Sequence, residues 1–392
     1  MGFKQFDLTY YYGPGEGLCD REDVFSDMAA AGITLAQIRN GADNNKRALV
    51  HCAKYGIRAN VSDKRLDAAI LATPEECDRL VREVCEEYLS YEALVGFDIS
   101  DEPKSDEFDG LGRVVDALHR YAPECETVIN LFPNYAMPEQ LGNPDYETHL
   151  REFISRVRPD FLSYDHYHFL TDEEEKKHFE KTGDEREELI RQNAHMRTAR
   201  PGFFENAEII RRFARENDLY AMQIVLLVKH GPYRDLARAE LSWEAGMCLA
   251  YGFRRVSYFT YGLPTGDDDF WHWDEAMIDA DGNKCRHYFD VQAISKWLLP
   301  LGRHLFSLDC ERVVHTADRS EIGHGRVRRI LGDAVVGCYS DGSCLVVNKD
   351  YEKEQTVTVE ADTLERYIPE EDRFVPCEKS IILDAGECVL LR

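Results

Sequence analysis

The sequence predicts an α/β protein, a (β/α)₈ TIM barrel followed by a small antiparallel β-sandwich domain. Three observations predict this fold. Strand-like apolar runs alternate with amphipathic helical segments up to about residue 300, eight such runs can be counted, and the pattern then changes to alternating polar and apolar residues broken by turns. Alternating strands and helices are typical of a parallel sheet with helical crossovers, and eight strands close a TIM barrel.

The eight predicted strands are residues 6–12, 34–39, 58–62, 94–100, 127–132, 161–167, 221–228 and 255–261. Helix signals lie between them. Thr73, Pro74 and Glu76 read as an N-cap, a first-turn proline and a capping-box glutamate before the run LVREVCEEYL. An open, doubly wound sheet is the alternative, but no GxGxxG motif or P-loop follows the first strand, so we favour the barrel.

The predicted domains are residues 1–302 for the barrel and 303–392 for the β domain. In the second domain, the run VVGCYSDGSCLVVN places Asp341 and Gly342 at a hairpin turn. The β domain is expected to pack against the barrel, with contact to carbohydrate as the alternative role. Residues 171–200 form a highly charged segment after the sixth strand, which is either a lid over the barrel mouth or a solvated surface helix.

Composition excludes some partners. The 392 residues contain 47 Lys and Arg against 73 Asp and Glu, a formal charge of -26, which disfavours nucleic acid and anionic membranes. The twelve cysteines form no CxxC pair, which fits reduced thiols, and no apolar run reaches membrane-spanning length. We therefore expect a cytoplasmic protein, with monomer and homo-oligomer both open.

Polar residues concentrate after the predicted strands, where the active sites of TIM barrels are built. These residues are Asp63 and Arg65 after strand 3, Asp101 and Glu102 after strand 4, Asn130, Asn134 and Tyr135 after strand 5, and Asp165, His166, Tyr167 and His168 after strand 6. Side chains alternate between the two faces of a strand. Alternation from Asp98 turns Glu102 toward the barrel axis, and the same count selects Asn130, Asp165 and Tyr167.

Several segments resemble a known group of enzymes. The runs YYGPG, VSDKR, GFDISDEP, INLFPNY, PDFLSYDHYHF, FFENAEIIR and LAYGFRRVSYFTYG are similar to barrel proteins grouped with family 42 β-galactosidases, in clan A of the glycoside hydrolases. That clan ends strand 4 in Asn-Glu-Pro, and this chain has Asp-Glu-Pro. The resemblance implies that Glu102 is the acid/base residue and that Asp101 stands where the clan has a sugar-contacting asparagine.

The chain departs from the clan at strand 7, where the resemblance implies a nucleophilic glutamate. Here Gln223, Lys229 and His230 lie in or just after the strand. Glycoside cleavage needs a second group beside the acid. Asp165 is the first substitute, while Glu240 and the acids at 267–269 are weaker candidates.

Aromatic rings and fixed polar groups are the side chains that commonly hold sugars. The predicted substrate-binding residues are Tyr11, Asp63, Arg65, Asp101, Asn130, Tyr135, His166, Tyr167, His230, Tyr261, Trp271 and Trp273. We expect no cofactor and no metal. Two alternatives stay open: a metal-dependent sugar isomerase that uses acids and histidines among these positions with His168, and a catalytically inactive sugar-binding barrel.

Overall fold

The computed structural model describes residues 4–171, 173–174, 202–264 and 272–392. Its first eight strands are β1 (Asp7–Tyr10), β2 (Leu35–Ile38), β3 (Arg58–Ser62), β4 (Leu94–Asp101), β5 (Glu126–Leu131), β6 (Phe161–Asp165), β7 (Tyr220–Leu226) and β8 (Arg255–Phe259). They pair in parallel in the order β1-β8-β7-β6-β5-β4-β3-β2. The sheet closes almost completely, because the N–H of Thr34 donates to the carbonyl of Leu8 at 2.9 Å. The predicted barrel is confirmed, and the predicted strand ends differ from the observed ones by at most two residues.

Helices pack around this sheet. They are α1 (Glu22–Ala30), α2 (Ala42–Lys54), α3 (Lys64–Leu71), α4 (Pro74–Tyr88), α5 (Phe108–Tyr121), α6 (Pro138–Leu141), α7 (Tyr146–Val157), α8 (Phe203–Glu216), α9 (Arg238–Ala250) and α10 (Arg286–Leu305), with short 3₁₀ helices at Glu16–Leu18, Ser105–Glu107 and Pro369–Glu371. The predicted cap of α4 is present, since Thr73 Oγ1 accepts from the N–H of Glu76 at 3.4 Å. The Glu76 carboxylate pairs with Arg79.

The C-terminal strands form two antiparallel sheets. They are β9 (Cys310–His315), β10 (Ser320–His324), β11 (Val327–Leu331), β12 (Ala334–Tyr339), β13 (Cys344–Asn348), β14 (Gln355–Glu360), β15 (Glu365–Ile368), β16 (Arg373–Pro376), β17 (Ser380–Leu383) and β18 (Cys388–Leu391). A four-stranded sheet, β10-β11-β14-β17, faces a six-stranded sheet, β16-β15-β18-β13-β12-β9. Their facing side chains, such as Ile330, Val346 and Val357, form a core between the sheets, which confirms the predicted sandwich.

The six-stranded sheet packs on α9 of the barrel with little space between them. A Cβ atom on Gly337 would collide with the carbonyl oxygen of Ala250, and one on Gly246 would lie 3.2 Å from Val347. Trp243 Nε1 also donates to the carbonyl of Lys349 at 3.1 Å. Apolar residues of this sheet face therefore belong to the same core as the barrel. The predicted boundary at residue 302, which stays a prediction, falls in the last turn of α10.

A buried ionic cluster fills the N-terminal end of the barrel. Arg255, fully buried, donates to Glu126 at 2.7 and 2.9 Å and to Asp7 at 3.4 Å. Arg58 pairs with Asp7, and Asn60 donates to Glu126 at 2.8 Å. The carboxylates at this end are thus paired with guanidinium groups.

All twelve cysteines of the chain are free thiols, and most are buried. None of the helices in the described ranges combines the length and apolarity that crossing a membrane requires.

Candidate active site

Strand β4 carries the Asp-Glu-Pro motif and is irregular near its end. The pairing with β5 shifts between Asp98 and Ser100, and Asp101 then lies opposite Asn130. Glu102 follows with a positive φ of 48° and donates its backbone N–H to the carbonyl of Asn130 at 2.8 Å. The uninterrupted alternation assumed from the sequence therefore does not hold here. The bulge and the left-handed residue bring both acids of the motif to the same cleft.

That cleft, at the C-terminal ends of the strands, has a volume of about 460 Å³. Within the described part of the chain, nine predicted site residues line it: Tyr11, Asp101, Glu102, Asn130, Tyr135, Asp165, Tyr167, His230 and Trp273. Five further lining residues were not predicted, namely Tyr12, Gln140, Tyr233, Phe259 and Pro264. Tyr12 directly follows Tyr11, and Phe259 is the last residue of β8. Both lie near the C-terminal ends of predicted strands, and this position could have marked them as site residues.

Two acids of the cleft, Asp101 and Asp165, hydrogen-bond to the side-chain amide of Asn130. Asn130 Nδ2 donates to Asp101 Oδ1 at 3.1 Å and to Asp165 Oδ1 at 2.9 Å. Ser163 Oγ donates in turn to Asn130 Oδ1 at 3.1 Å and fixes the orientation of the amide. The two aspartate oxygens are therefore no farther apart than two hydrogen-bond lengths.

Among the carboxyl groups that line the cleft, Glu102 has a strongly raised pKa. Burial raises its pKa most, and the negative charges of Asp165 and Asp101 act in the same direction, which brings the pKa to about 9. A carboxyl group with such a pKa is protonated at neutral pH and can donate a proton. The arrangement supplies an acid beside two further carboxyl groups in one cleft.

Aromatic rings form one wall of the cleft around His230. The imidazole stacks on Trp273, with 4.8 Å between ring centroids, and contacts Tyr167, Tyr233 and Phe259. His230 Nδ1 lies 2.7 Å from the carbonyl of Val228, so Nδ1 carries the proton and Nε2 is the acceptor. Burial lowers the pKa of His230 to about 4, although this hydrogen bond opposes the shift, so the ring is neutral at pH 7.

An ion pair behind the cleft was missed by the sequence analysis. Arg39, directly after β2, pairs with the buried carboxylate of Asp98. Its guanidinium lies 4.3 Å from the ring centre of Tyr11 and 5.0 Å from that of Tyr12. Arg39 thus holds in place two tyrosines that line the cleft. The sequence signal was a charged residue at the end of an otherwise uncharged predicted strand.

Asp63 and Arg65, both predicted to bind substrate, are not among the residues that line the cleft. Asp63 caps α3 by accepting from the N–H of Arg65 at 3.0 Å. The two side chains also form an ion pair at 2.8 Å, and Tyr88 donates to Asp63 at 2.9 Å. Their polar groups are occupied in holding the start of α3 against α4.

His166 and Tyr261 are also absent from the cleft lining. His166 is fully buried behind Tyr135, and its Nδ1 lies 3.1 Å from Asn206 Oδ1. Tyr261 follows the end of β8, where the chain turns. Its hydroxyl reaches the carbonyl of Val24 in α1 at 3.3 Å. Trp271, the acids at 267–269, and nearly all of the charged segment 171–200 lie outside the described residues.

The remaining candidates have structural partners. Glu240 accepts from the N–H of Ala237 at 2.7 Å and pairs with Arg234 at the start of α9. His168 is buried against Phe203 and Trp243. Across residues 4–171, 173–174, 202–264 and 272–392, no group of three or more His, Cys, Asp or Glu side chains is arranged to hold a metal ion.

No protein-family model matches the chain, and no curated protein sequence matches it. Solved structures do. A family 5 glycoside hydrolase from Bacteroides vulgatus has a TM-score of 0.59 at 11% identity, over 98% of this chain and 89% of that one. This chain has the barrel fold of that enzyme. A glucosidase from Croceicoccus marinus gives a TM-score of 0.51 at 11% identity, over 100% of this chain and 96% of that one.

A β-galactosidase from Marinomonas ef1 gives a TM-score of 0.55 at 12% identity. The match covers 77% of this chain but spans 62% of the length of that enzyme. At such identities the likeness establishes a shared fold alone, and the specific resemblance to family 42 stays a prediction.

Proposed function

We propose that this protein is a glycoside hydrolase in which Glu102 is the general acid and Asp165 is the partner carboxylate. The observation that carries the proposal is Glu102, a carboxyl group directly after β4 whose pKa is raised by burial and by its acidic neighbours, in a cleft that also contains Asp165. Glycoside hydrolysis uses such a pair, an acid for the leaving oxygen and a second carboxylate as nucleophile or base.

The walls of the cleft and the fold support the proposal. Tyr11, Tyr135, Tyr167 and Trp273 provide ring faces of the kind that pack against sugars. The solved structures of similar fold include a β-galactosidase, a glucosidase and a family 5 glycoside hydrolase. A metal-dependent isomerase is less well supported, since the described residues offer no metal-binding cluster.

One observation favours a second candidate, a sugar-binding barrel without hydrolytic activity. The resemblance to clan A implies a catalytic glutamate at the end of strand 7, and this chain places His230 at the corresponding edge of the cleft. Asp165, on the neighbouring strand β6, is our substitute for that glutamate.

Leaving-group dependence tests the acid assignment. Glu102→Gln should lower kcat/KM by about 10²–10⁴-fold for glycosides with poor leaving groups and by much less for 2,4-dinitrophenyl glycosides, which need no proton. Glu107→Gln is the matched control, because Glu107 lies outside the cleft and accepts from the N–H of Lys104. Equal losses for both substrate types in Glu102→Gln would remove the acid assignment.

The partner assignment has its own test. Asp165→Asn should slow both substrate types alike, because attack on the anomeric carbon is needed whatever the leaving group. If Asp165 is the nucleophile, azide should restore turnover in Asp165→Ala and give a product of opposite configuration. Wild-type protein that binds sugars but hydrolyses no member of the panel would favour the inactive binding barrel.

A further inference from the structure

Two cysteines face each other across the β12–β13 hairpin. Cys338 in β12 pairs with Cys344, the first residue of β13. The next pair along the hairpin is hydrogen-bonded, since the N–H of Tyr339 donates to the carbonyl of Ser343 at 2.9 Å. Hydrogen-bonded and non-hydrogen-bonded pairs alternate, so Cys338 and Cys344 form a non-hydrogen-bonded pair, in which the Cα atoms are about 4.5 Å apart and both side chains lie on one face. A disulfide needs about 4.4–6.8 Å between these atoms, so the register permits one.

Both thiols are buried in the core between the two sheets of the sandwich. They hydrogen-bond to each other, and this bond contributes most to a lowered pKa at Cys338 and a raised pKa at Cys344. Burial opposes the shift at Cys338, whereas the nearby His324 and Arg312 add to it. The thiolate is the nucleophile in sulfur chemistry, and basic neighbours favour it. Cys338 is therefore the thiol suited to attack an oxidant, and Cys344 is placed to close the disulfide.

We propose that Cys338 and Cys344 are a redox-active pair, which a hydroperoxide converts to a disulfide and a thiol reductant returns to two thiols. The thiolate of Cys338 attacks one oxygen of hydrogen peroxide, the O–O bond breaks, and a sulfenic acid forms as hydroxide leaves. The thiolate of Cys344 then attacks the sulfur of Cys338 and displaces a second hydroxide, which forms the S–S bond. The two hydroxides take up the two thiol protons. Two thiols and one peroxide thus give one disulfide and two waters.

The pair lies close to the surface although its sulfur atoms are buried. The hairpin turn that follows Cys338 exposes Ser340 and Asp341. Local opening of such a turn costs less free energy than unfolding of the whole domain, and hydrogen peroxide needs only a small opening. The strands β12 and β13 also pack on α9 through Gly337 and Val347, so the disulfide would fix the hairpin that joins the sandwich to the barrel. The proposal does not depend on the proposed function, because neither cysteine lines the cleft.

The experiment is oxidation of the reduced wild-type protein with hydrogen peroxide, followed by a thiol count in denaturant and by peptide mapping. We expect the count to fall by two from the twelve thiols of the chain, with one cross-linked peptide that joins Cys338 to Cys344. Dithiothreitol should restore all twelve. A count that stays at twelve, or a disulfide between other cysteines in place of this one, would overturn the proposal. This measurement requires no variant to fold.

Variants then separate the roles of the two thiols. Cys344→Ala keeps the attacking thiol without its partner, so oxidation should stop at the sulfenic acid of Cys338, which dimedone labels. Cys388→Ala is the matched control, because Cys388 lies in the same sheet but faces Val347, and this variant should lose two thiols as the wild type does. Labelling of Cys344 in Cys338→Ala as fast as that of Cys338 in Cys344→Ala would contradict the assignment of Cys338 as the nucleophile.

Discussion

At the N-terminal end of the barrel Arg255 lies between two buried carboxylates, and at the C-terminal end Asn130 lies between the exposed carboxylate of Asp101 and the buried one of Asp165. Both bridges use two donors on one side chain, but they differ in charge. The guanidinium of Arg255 is positively charged, whereas the amide of Asn130 is neutral. At the C-terminal end burial raises the pKa of Glu102, and the neighbouring Asp165 and Asp101 act in the same direction.

The two ends of the barrel separate residues that stabilise the fold from residues that are suited to chemistry. Ion pairs with good geometry make a closed cluster, in which removing one partner leaves a buried charge uncompensated. At the other end, Glu102 lies close to Asp101 and Asp165 and has a raised pKa, which is typical of functional sites. The charge of the bridging residue, positive in Arg255 and neutral in Asn130, therefore distinguishes the two ends better than the number of acids at each end.

The largest effect on stability is expected from replacing Arg255. Arg255→Met removes the guanidinium and leaves Glu126 and Asp7 buried, so the free energy of unfolding should fall by about 3–5 kcal/mol. Urea denaturation measures it. Arg79→Met is the control, because Arg79 is an exposed partner of Glu76 and Glu83 and should contribute at most about 1 kcal/mol. Equal losses in the two variants would contradict the structural role of the N-terminal cluster.

Glu102→Gln should instead raise the free energy of unfolding, by an amount smaller than the loss in Arg255→Met. The folded pKa of about 9 lies above the ordinary value of 4.5, so the native protein loses stability as the pH rises between these two values. Glutamine does not ionise, so the variant should be more stable than the wild type by about 1–3 kcal/mol at pH 8, after allowance for solvent in the cleft.

Thermal or urea unfolding at several pH values measures this gain. The advantage of the glutamine variant should vanish near pH 4 and reach a plateau above pH 9, close to the two pKa values of Glu102. A destabilised Glu102→Gln, or a gain that does not depend on pH, would mean that Glu102 is ionised in the native protein at neutral pH.

The smallest effect on stability is expected from replacing Asp63, an acid at the C-terminal end that pairs with Arg65. Burial alone would raise the pKa of Asp63, but hydrogen bonds from Arg65 and Tyr88 outweigh it and hold the pKa below 3.8. Asp63→Asn keeps the cap on α3 and weakens the bonds to Arg65, so it should lose about 1 kcal/mol at pH 7.

That loss should shrink as the pH falls through the folded pKa of Asp63, because the wild-type carboxylate is then protonated as well. KM should stay unchanged, since neither Asp63 nor Arg65 lines the cleft. A KM that rises several-fold would restore the sugar contact predicted from the sequence.

The strands and the broad position of the site were predictable because they depend on local patterns. Each barrel strand is a short apolar run between helix signals, and polar residues after such runs must meet at one end of a parallel barrel. Glu102 and Asp165 could therefore be assigned to one cleft from their positions alone. The cap at Thr73 was predictable for the same reason, since Pro74 and the N–H of Glu76 lie within the same turn.

Features that depend on pairing between strands could not be predicted. The bulge in β4 exists only relative to β5, so the sequence gives no sign that Asp101 lies opposite Asn130. The turn after β8 likewise directs Tyr261 to α1. Arg39 was missed because its partner, Asp98, is distant in the chain and lies two strands away in the sheet, on the far side of β3.

The glycine contacts between α9 and the six-stranded sheet limit how the protein can be shortened or recombined. Gly246 and Gly337 have no side chain, so α9 and the six-stranded sheet pack against each other at backbone distance. Shortening the gene at residue 302 would expose the apolar flank of α9 to water, and grafting a foreign sandwich there would require a matching glycine seam. Changes on either side of this interface therefore have to preserve the packing of both parts.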